Sequence, residues 1–134
     1  MNKALQEKLY GKYPDLFRQK DMSMQETCMC WGIDCRDGWY DLIDELCSKL
    51  VEADPNAQAV QVKEKFGGLS FYIIGNEEAQ DIVGKYGEKS YEVCEVCGKK
   101  GVMCARGSWL KTLCGEHALA NDYKKCPECL ECPE

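Results

Sequence analysis

The chain has 134 residues and a formal net charge of −6, which disfavours extended contact with nucleic acid because such contact needs clustered basic charge. Apolar residues make up 45% of the chain, enough for the core of one domain, but no apolar run is long enough to span a membrane. The eleven cysteines and the lack of an apolar leader sequence predict a cytoplasmic protein with reduced thiols, some of them bound to metal.

The first third of the chain predicts a short helix followed by a long, cysteine-rich loop. Leu5 and Leu9 lie about one helical turn apart and favour a helix from Asn2 to about Tyr10. The loop spans residues 20–37 and contains three cysteines: Cys28, Cys30 and Cys35. A loop of this length is usually functional or held by a metal. Packing of its methionines into the core is the alternative, and the sequence leaves both open.

Two longer helices are predicted on either side of the central part of the chain. The first runs from Gly38 to about Ala53, with Asp37 as its N-cap. Its apolar residues recur every three or four positions and form one face: Trp39, Leu42, Ile43, Leu46, Leu50 and Val51. The second is capped by Asn76 and runs to about Tyr86, with acidic residues in its first turn. Each helix therefore offers an apolar face that can cover a sheet.

Between these helices lies the clearest strand signal, an alternation of apolar and polar residues on both sides of Gly67-Gly68. A two-residue Gly-Gly turn pairs Phe66 with Leu69 and places Glu64 on the apolar face. Burial of the Glu64 carboxylate there requires a hydrogen-bonding partner from elsewhere in the fold. We expect the two helices to cover this face over a core of six residues: Val62, Phe66, Leu69, Phe71, Leu42 and Leu46.

The last third of the chain carries two pairs of metal-ligating residues, each pair separated by two residues. Cys94 and Cys97 form a CxxC pair, and Cys114 forms a CxxH pair with His117, the only histidine of the chain. This is the spacing of a structural zinc site, and four protein ligands leave no open position for catalysis. Buried free cysteines around a core histidine are the alternative, but paired motifs of this kind favour zinc.

The same region predicts a second hairpin and ends in a cysteine-rich tail. The hairpin turns at Arg106-Gly107, and a short helix follows Cys114 as far as about Lys125. The tail contains three cysteines spaced three residues apart, which with the loop cysteines form a candidate second metal site: Cys126, Cys129, Cys132, Cys28, Cys30 and Cys35. Free thiols are the alternative for these residues.

Together these elements predict an α+β fold. A small antiparallel hairpin sheet is packed by helices, and a zinc-ribbon or treble-clef-like segment follows it. Residues 1–90 form the predicted core unit. Residues 91–134 form the predicted zinc-binding segment with its cysteine-rich tail.

Three segments of the chain form a recognisable set of motifs. They begin at Asp37, Val62 and Cys94 and read DGWYDLI, VKEKFGGLSFY and CEVCG…GSWLKTLCGEH. In this order they resemble a family of small uncharacterised zinc-binding proteins of phages and bacteria. The likeness spans roughly residues 31–118 and brings no established activity with it. It implies a phage setting, and therefore a component of the host cell as the partner.

The sequence indicates a binding protein rather than an enzyme. Its sole histidine is assigned to the metal, and the chain contains neither a phosphate-binding loop nor a dinucleotide motif. We predict a non-enzymatic protein that binds and inhibits or adapts a host protein, with an anti-defence role. A small binder that sequesters an anionic nucleotide signal is the alternative, and a nucleic-acid adaptor, disfavoured by the charge, is the third reading.

The candidate ligand-binding residues are basic and aromatic side chains on the two hairpins. Aromatic rings stack on bases or fill protein pockets, whereas Lys and Arg bind anionic groups. The residues predicted on this basis are Lys63, Lys65, Tyr72, Arg106, Trp109 and Lys111. The sequence leaves the identity of the ligand and the oligomeric state open.

Overall fold

The structure is a computed structural model that describes residues 1–126, and its elements confirm the α+β fold class. The helices in this part of the chain are α1 (Lys3–Lys12), α2 (Tyr40–Ala53), α3 (Glu77–Lys89) and α4 (Gly115–Ala120). The strands are β1 (Ile33–Asp34), β2 (Gln58–Lys65), β3 (Gly68–Ile74), β4 (Val102–Arg106), β5 (Trp109–Leu113) and β6 (Lys124–Lys125). None of these helices is long and apolar enough to cross a membrane.

The first sheet has the strand order β1-β2-β3, and its central hairpin differs in register from the prediction. Lys65 pairs with Gly68, so the turn residues are Phe66 and Gly67 rather than the two glycines. Phe66 has φ +52° and Gly67 has φ +85°, the left-handed conformations that a tight two-residue hairpin turn needs. The predicted pairing of Phe66 with Leu69 was therefore wrong, because Leu69 lies opposite Glu64, two residues earlier on β2.

Five of the six predicted core residues of this region are buried: Val62, Leu69, Phe71, Leu42 and Leu46. Phe66 is the exception, because its position in the turn leaves it 69% exposed. Helix α3 packs against both β3 and α2, which covers the apolar face of the sheet. Phe71 lies at the centre of this core, where its ring makes an edge contact with Phe17 at 6.3 Å between centroids.

The helix caps were predicted correctly at Asn76 but not at Asp37. The side chain of Asn76 accepts a hydrogen bond from the Ala79 amide at 2.9 Å, and α3 follows it directly. Asp37 instead begins a single 3-10 turn, and α2 starts only at Tyr40. The reason is a tertiary contact, since the Asp37 carboxylate accepts hydrogen bonds from the backbone and side-chain nitrogens of Asn2 at 2.8 and 2.9 Å.

The long loop before α2 is held by buried apolar residues and by a short strand that the sequence did not predict. Strand β1 runs parallel to β2, and Ile33 pairs with Val62. Ile33 and Met29 are both buried, whereas Met24 is 67% exposed. Only part of the loop therefore packs into the core, and the rest of it lies on the surface.

The second sheet has the strand order β5-β4-β6, and the second ligand pair follows directly after β5. Arg106 pairs with Trp109, so the hairpin turns at Gly107-Ser108, one residue later than predicted. The continuous helix predicted after Cys114 was wrong, because α4 ends at Ala120 and the chain returns as β6 alongside β4. This reversal passes through Asp122, which has φ +60°.

Candidate metal centre

Four side chains from two separate segments converge at one point of residues 91–126, which we call the second unit; residues 1–90 are the first unit. The ligand atoms of Cys94, Cys97, Cys114 and His117 all lie within 4.8 Å of one another. The Sγ atoms of Cys97 and Cys114 are 3.7 Å apart, and His117 Nδ1 lies 3.2 Å from Cys114 Sγ and 3.8 Å from Cys94 Sγ. The two predicted ligand pairs thus meet with the geometry of a metal site.

The first ligand pair lies in a tight turn that two backbone hydrogen bonds close. The Gly98 amide donates to Cys94 O at 2.9 Å, and the Cys94 amide donates to Lys99 O at 2.7 Å. Gly98 has φ +81°, a left-handed conformation that glycine adopts without steric cost. The turn therefore brings Cys97 back beside Cys94.

The second ligand pair sits at the start of helix α4. Cys114 has an extended backbone and is the N-cap residue, and its carbonyl accepts the Ala118 amide at 2.9 Å. His117 follows in the first turn, where a spacing of three residues puts both ligands on the same side of the helix. The His117 carbonyl also accepts a hydrogen bond from Asn121 Nδ2 at 2.7 Å, which ties this turn to the end of the helix.

The electrostatic environment favours a thiolate at one ligand in particular. Desolvation raises the pKa of Cys114, but the hydrogen bonds from the His117 amide and side chain outweigh it and lower the pKa to about 7. Desolvation raises the pKa of Cys97, and its thiol neighbours add to this effect. Because a metal binds the thiolate form, Cys114 is the ligand best prepared for a cation, and binding releases protons from the others.

The candidate second metal site does not form among the residues that the structure describes. Within residues 1–126, the Cys94–His117 group is the only cluster of three or more His, Cys, Asp or Glu side chains close enough to share an ion. Cys28 and Cys30 are exposed in the loop, whereas Cys35 is buried. Cys126 lies beside β4, where its backbone amide donates a hydrogen bond to Met103 O. Cys129 and Cys132 lie outside the described residues.

A buried carboxylate that the sequence did not predict belongs to Glu95, which lies between Cys94 and Cys97 in the chain. Its side chain is 2% exposed and accepts hydrogen bonds from the Arg36 amide at 3.1 Å and from Lys111 Nζ at 3.3 Å. Lys111 also donates to Glu64 Oε1 at 2.8 Å. The Glu64 carboxylate, predicted to need a partner, has therefore found one in Lys111 and a second in the Gly67 amide. No sequence pattern predicted Glu95, because its partner Arg36 lies 59 residues away in the chain.

The six predicted ligand-binding residues do not form a single pocket. Lys63, Lys65 and Trp109 line a cleft of about 270 Å³ between the two hairpins, together with Phe66. We call these four residues the hairpin-tip surface. Trp109 is 67% exposed and Phe66 69%, and Lys65 Nζ lies 5.9 Å from the centre of the Phe66 ring.

The other three predicted residues lie elsewhere or are engaged. Tyr72 is exposed on β3 opposite Gln61 and is not part of the cleft lining. Arg106 lies over the Tyr123 ring at 4.7 Å and donates to Asn121 O at 2.9 Å. Lys111 forms ion pairs with Glu64 of the first unit and Glu95 of the second, and so links the two units.

Comparison with known proteins adds no identification at this point. The chain matches no protein-family model, no curated protein and no solved structure. Its resemblance to small phage and bacterial zinc-binding proteins therefore stays a prediction from the three motifs.

Proposed function

We propose that Cys94, Cys97, Cys114 and His117 bind one zinc ion. With zinc–sulfur bonds of about 2.3 Å, a tetrahedral site separates two sulfur atoms by about 3.8 Å. The distance of 3.7 Å between Cys97 Sγ and Cys114 Sγ fits this value. Four protein ligands fill the tetrahedron, so the zinc stabilises the fold and leaves no position for a substrate.

The function that we propose is that of a non-enzymatic, zinc-stabilised protein of phage type. It works in the host cytoplasm, where thiols stay reduced, and inhibits or adapts a host protein by binding it through the hairpin-tip surface. One observation carries this proposal: Phe66 and Trp109 come from the hairpins of two different units, yet both rings are about two-thirds exposed at the same cleft. Exposed aromatic rings that converge in this way are typical anchors of a protein interface.

The backbone of Phe66 supports the same conclusion. A left-handed conformation is common for glycine or asparagine but costs a bulky residue about 1–2 kcal/mol. Phe66 adopts this conformation, with φ +52°. Most of its ring is exposed, so burial of the ring does not offset the cost. A role in binding explains why an aromatic residue occupies the position.

A second candidate function is the sequestration of a small anionic nucleotide. The observation in its favour is that Lys63 and Lys65 line the same cleft as the Trp109 ring. A base can stack on such a ring while the lysines bind its phosphates. A nucleic-acid adaptor is supported less well, because the chain as a whole carries a net charge of −6.

The test is a comparison of affinity capture from host cells with three variants. Trp109→Ala and Phe66→Asn should each weaken binding of the partner more than about tenfold, since each removes an interface ring. Asparagine tolerates the left-handed turn, so the hairpin stays intact. Trp31→Ala is the matched control, because Trp31 is 65% exposed but lies outside the cleft.

Native mass spectrometry of the same preparations distinguishes the two candidates. A bound small molecule that is lost in Trp109→Ala supports the nucleotide function, whereas a bound protein lost in both cleft variants supports host-protein binding. All three variants should retain one zinc ion. A partner that Trp109→Ala and Phe66→Asn bind as tightly as the unaltered protein would exclude the hairpin-tip surface as the binding site.

A further inference from the structure

A chain of hydrogen-bonded side chains leads from the metal centre to the turn that presents Phe66. Glu95, which lies between two metal ligands, accepts from Lys111 Nζ at 3.3 Å. The same nitrogen donates to Glu64 Oε1 at 2.8 Å, and Glu64 Oε2 accepts the Gly67 amide at 2.7 Å. Three side chains therefore connect the metal-binding turn with the backbone next to Phe66.

A second path runs parallel to the first and ends on the same residue. The Glu95 amide donates to Thr112 O at 3.0 Å, and Thr112 Oγ1 donates to Gly67 O at 2.7 Å. Thr112 is fully buried. The Gly67 carbonyl is thus held by Thr112, which is bonded directly to Glu95, and the Gly67 N–H is held by Glu64, which reaches Glu95 through Lys111.

Burial couples the three charged side chains of the first path to one another. The side chains of Glu95, Glu64 and Lys111 are 2%, 18% and 25% exposed, and one ammonium serves both carboxylates. Removing a partner from a shielded ion network leaves a charge without compensation, which is costly. A displacement of Glu95 therefore disturbs Lys111 and Glu64 rather than being absorbed locally.

From this geometry we infer that metal binding sets the conformation of the Phe66 turn, with Lys111 and Thr112 as the positioning residues. The inference rests on the proposed function, because it concerns the regulation of the hairpin-tip surface. The metal fixes the turn that contains Glu95, and Glu95 fixes both paths to Gly67. In the metal-free protein the Phe66 turn loosens, and a partner that binds there must first order it.

Hydrogen exchange of the Gly67 amide, followed by NMR, tests this coupling without any partner. In the zinc-loaded protein this amide should be protected, and chelation of the zinc should lower its protection at least about tenfold. The Phe71 amide, on a strand of the first unit, should change little. A Gly67 amide that keeps its protection after the zinc is removed would overturn the inference.

Variants that retain zinc separate the coupling from general unfolding. Lys111→Met keeps the aliphatic stem and Thr112→Val keeps the shape, and each should speed Gly67 exchange although one zinc ion remains bound. Lys124→Met is the control, because this exposed lysine lies in the same unit but does not line the cleft. If Gly67 exchanges as slowly in zinc-loaded Lys111→Met and Thr112→Val as in the unaltered protein, the two paths carry no coupling.

The two sets of variants distinguish a failure of the coupling from a failure of the proposed function. Loss of partner binding in Phe66→Asn combined with unchanged Gly67 exchange in Lys111→Met supports the function and overturns the coupling. Zinc-dependent Gly67 exchange in a protein whose cleft variants bind every partner normally supports the coupling and overturns the function. Weaker partner binding by zinc-loaded Lys111→Met, together with faster Gly67 exchange, supports both.

Discussion

Each of the two units of this protein is stabilised internally by a different means. In the first unit twenty buried apolar residues form one continuous cluster that reaches from Leu9 to Tyr86. In the second unit the corresponding cluster among the described residues has four members: Cys94, Cys104, Leu113 and Ala118. One of these four, Cys94, belongs to the candidate metal centre. Burial of apolar surface can stabilise the first unit, whereas the second has too small a core to fold without other support.

The second unit obtains part of that support from the first unit through polar contacts. The Gly38 amide donates to Glu95 O at 2.7 Å, and Trp39 Nε1 donates to Val93 O at 2.9 Å. We propose that a metal ion bound at the Cys94–His117 cluster supplies the remaining support. On this proposal the chain uses burial where it has many apolar residues and metal coordination where it has few.

Removal of the zinc should unfold the second unit and leave the first one folded. Zinc binding to small ligand sets of this kind contributes about 10–16 kcal/mol, more than the core of the second unit can replace. Hydrogen exchange should show loss of protection in residues 91–126 after chelation, or in Cys97→Ser, while α2 and the β2–β3 hairpin stay protected except at the Phe66 turn. Cys97→Ser protein that still binds one zinc ion would contradict the ligand assignment.

Truncation of a core side chain in the first unit should have the opposite effect and destabilise that unit. Phe71 is 3% exposed, and Phe71→Ala should lower the free energy of unfolding by about 3–5 kcal/mol because it leaves a cavity beside Phe17. Zinc content should not change. Chemical denaturation measures the effect, and Tyr72→Ala, at an exposed neighbour on the same strand, is the control with an expected loss below about 1 kcal/mol.

A methyl group added at the junction should weaken the attachment of the second unit. A Cβ atom at Gly38 would overlap the carbonyl oxygens of Cys94 and Glu95, which belong to the metal-binding turn. Gly38→Ala should therefore cost about 1–3 kcal/mol and should weaken zinc binding as well. Titration with a competing chelator measures the zinc affinity. Unchanged zinc affinity would show that the metal centre does not depend on this contact.

The smallest effect should be a gain in stability. Gly84 lies inside α3, and a Cβ atom there meets no atom within 4 Å. Gly84→Ala should raise the free energy of unfolding by about 0.5–1 kcal/mol, because alanine loses less backbone entropy in a helix. It is the counterpart of Gly38→Ala, since both add one methyl group. Zinc affinity should stay the same, and a destabilised Gly84→Ala protein would contradict the open environment of this position.

The cluster of candidate metal ligands and the main helices could be predicted from the sequence because their signals are local. The CxxC and CxxH spacings determine which side chains can meet one ion, and Asn76 caps the helix that follows it directly. The demand of Glu64 for a partner was also visible. The partner itself was not, because Lys111 comes from a strand 47 residues further along the chain.

The hairpin register could not be predicted, because each of its glycines has a tertiary role. Gly67 takes the left-handed turn position, and the turn is fixed by its bonds to Glu64 and Thr112. Gly68 is needed for another reason, since a Cβ atom there would overlap the ring of Tyr91. Two adjacent glycines in the sequence suggest a turn. The sequence does not show which of them must lack a side chain to make room for a ring from a distant part of the chain.

The position of Trp39 gives the protein an internal optical reporter. The chain has three tryptophans, of which Trp31 and Trp109 are about two-thirds exposed, whereas Trp39 is fully buried at the junction and bonded to Val93 O. Indole fluorescence shifts to longer wavelength when the ring meets water. In a protein with Trp31 and Trp109 replaced by phenylalanine, separation of the two units would therefore register as a red shift of one emitting residue, readable in real time without any label.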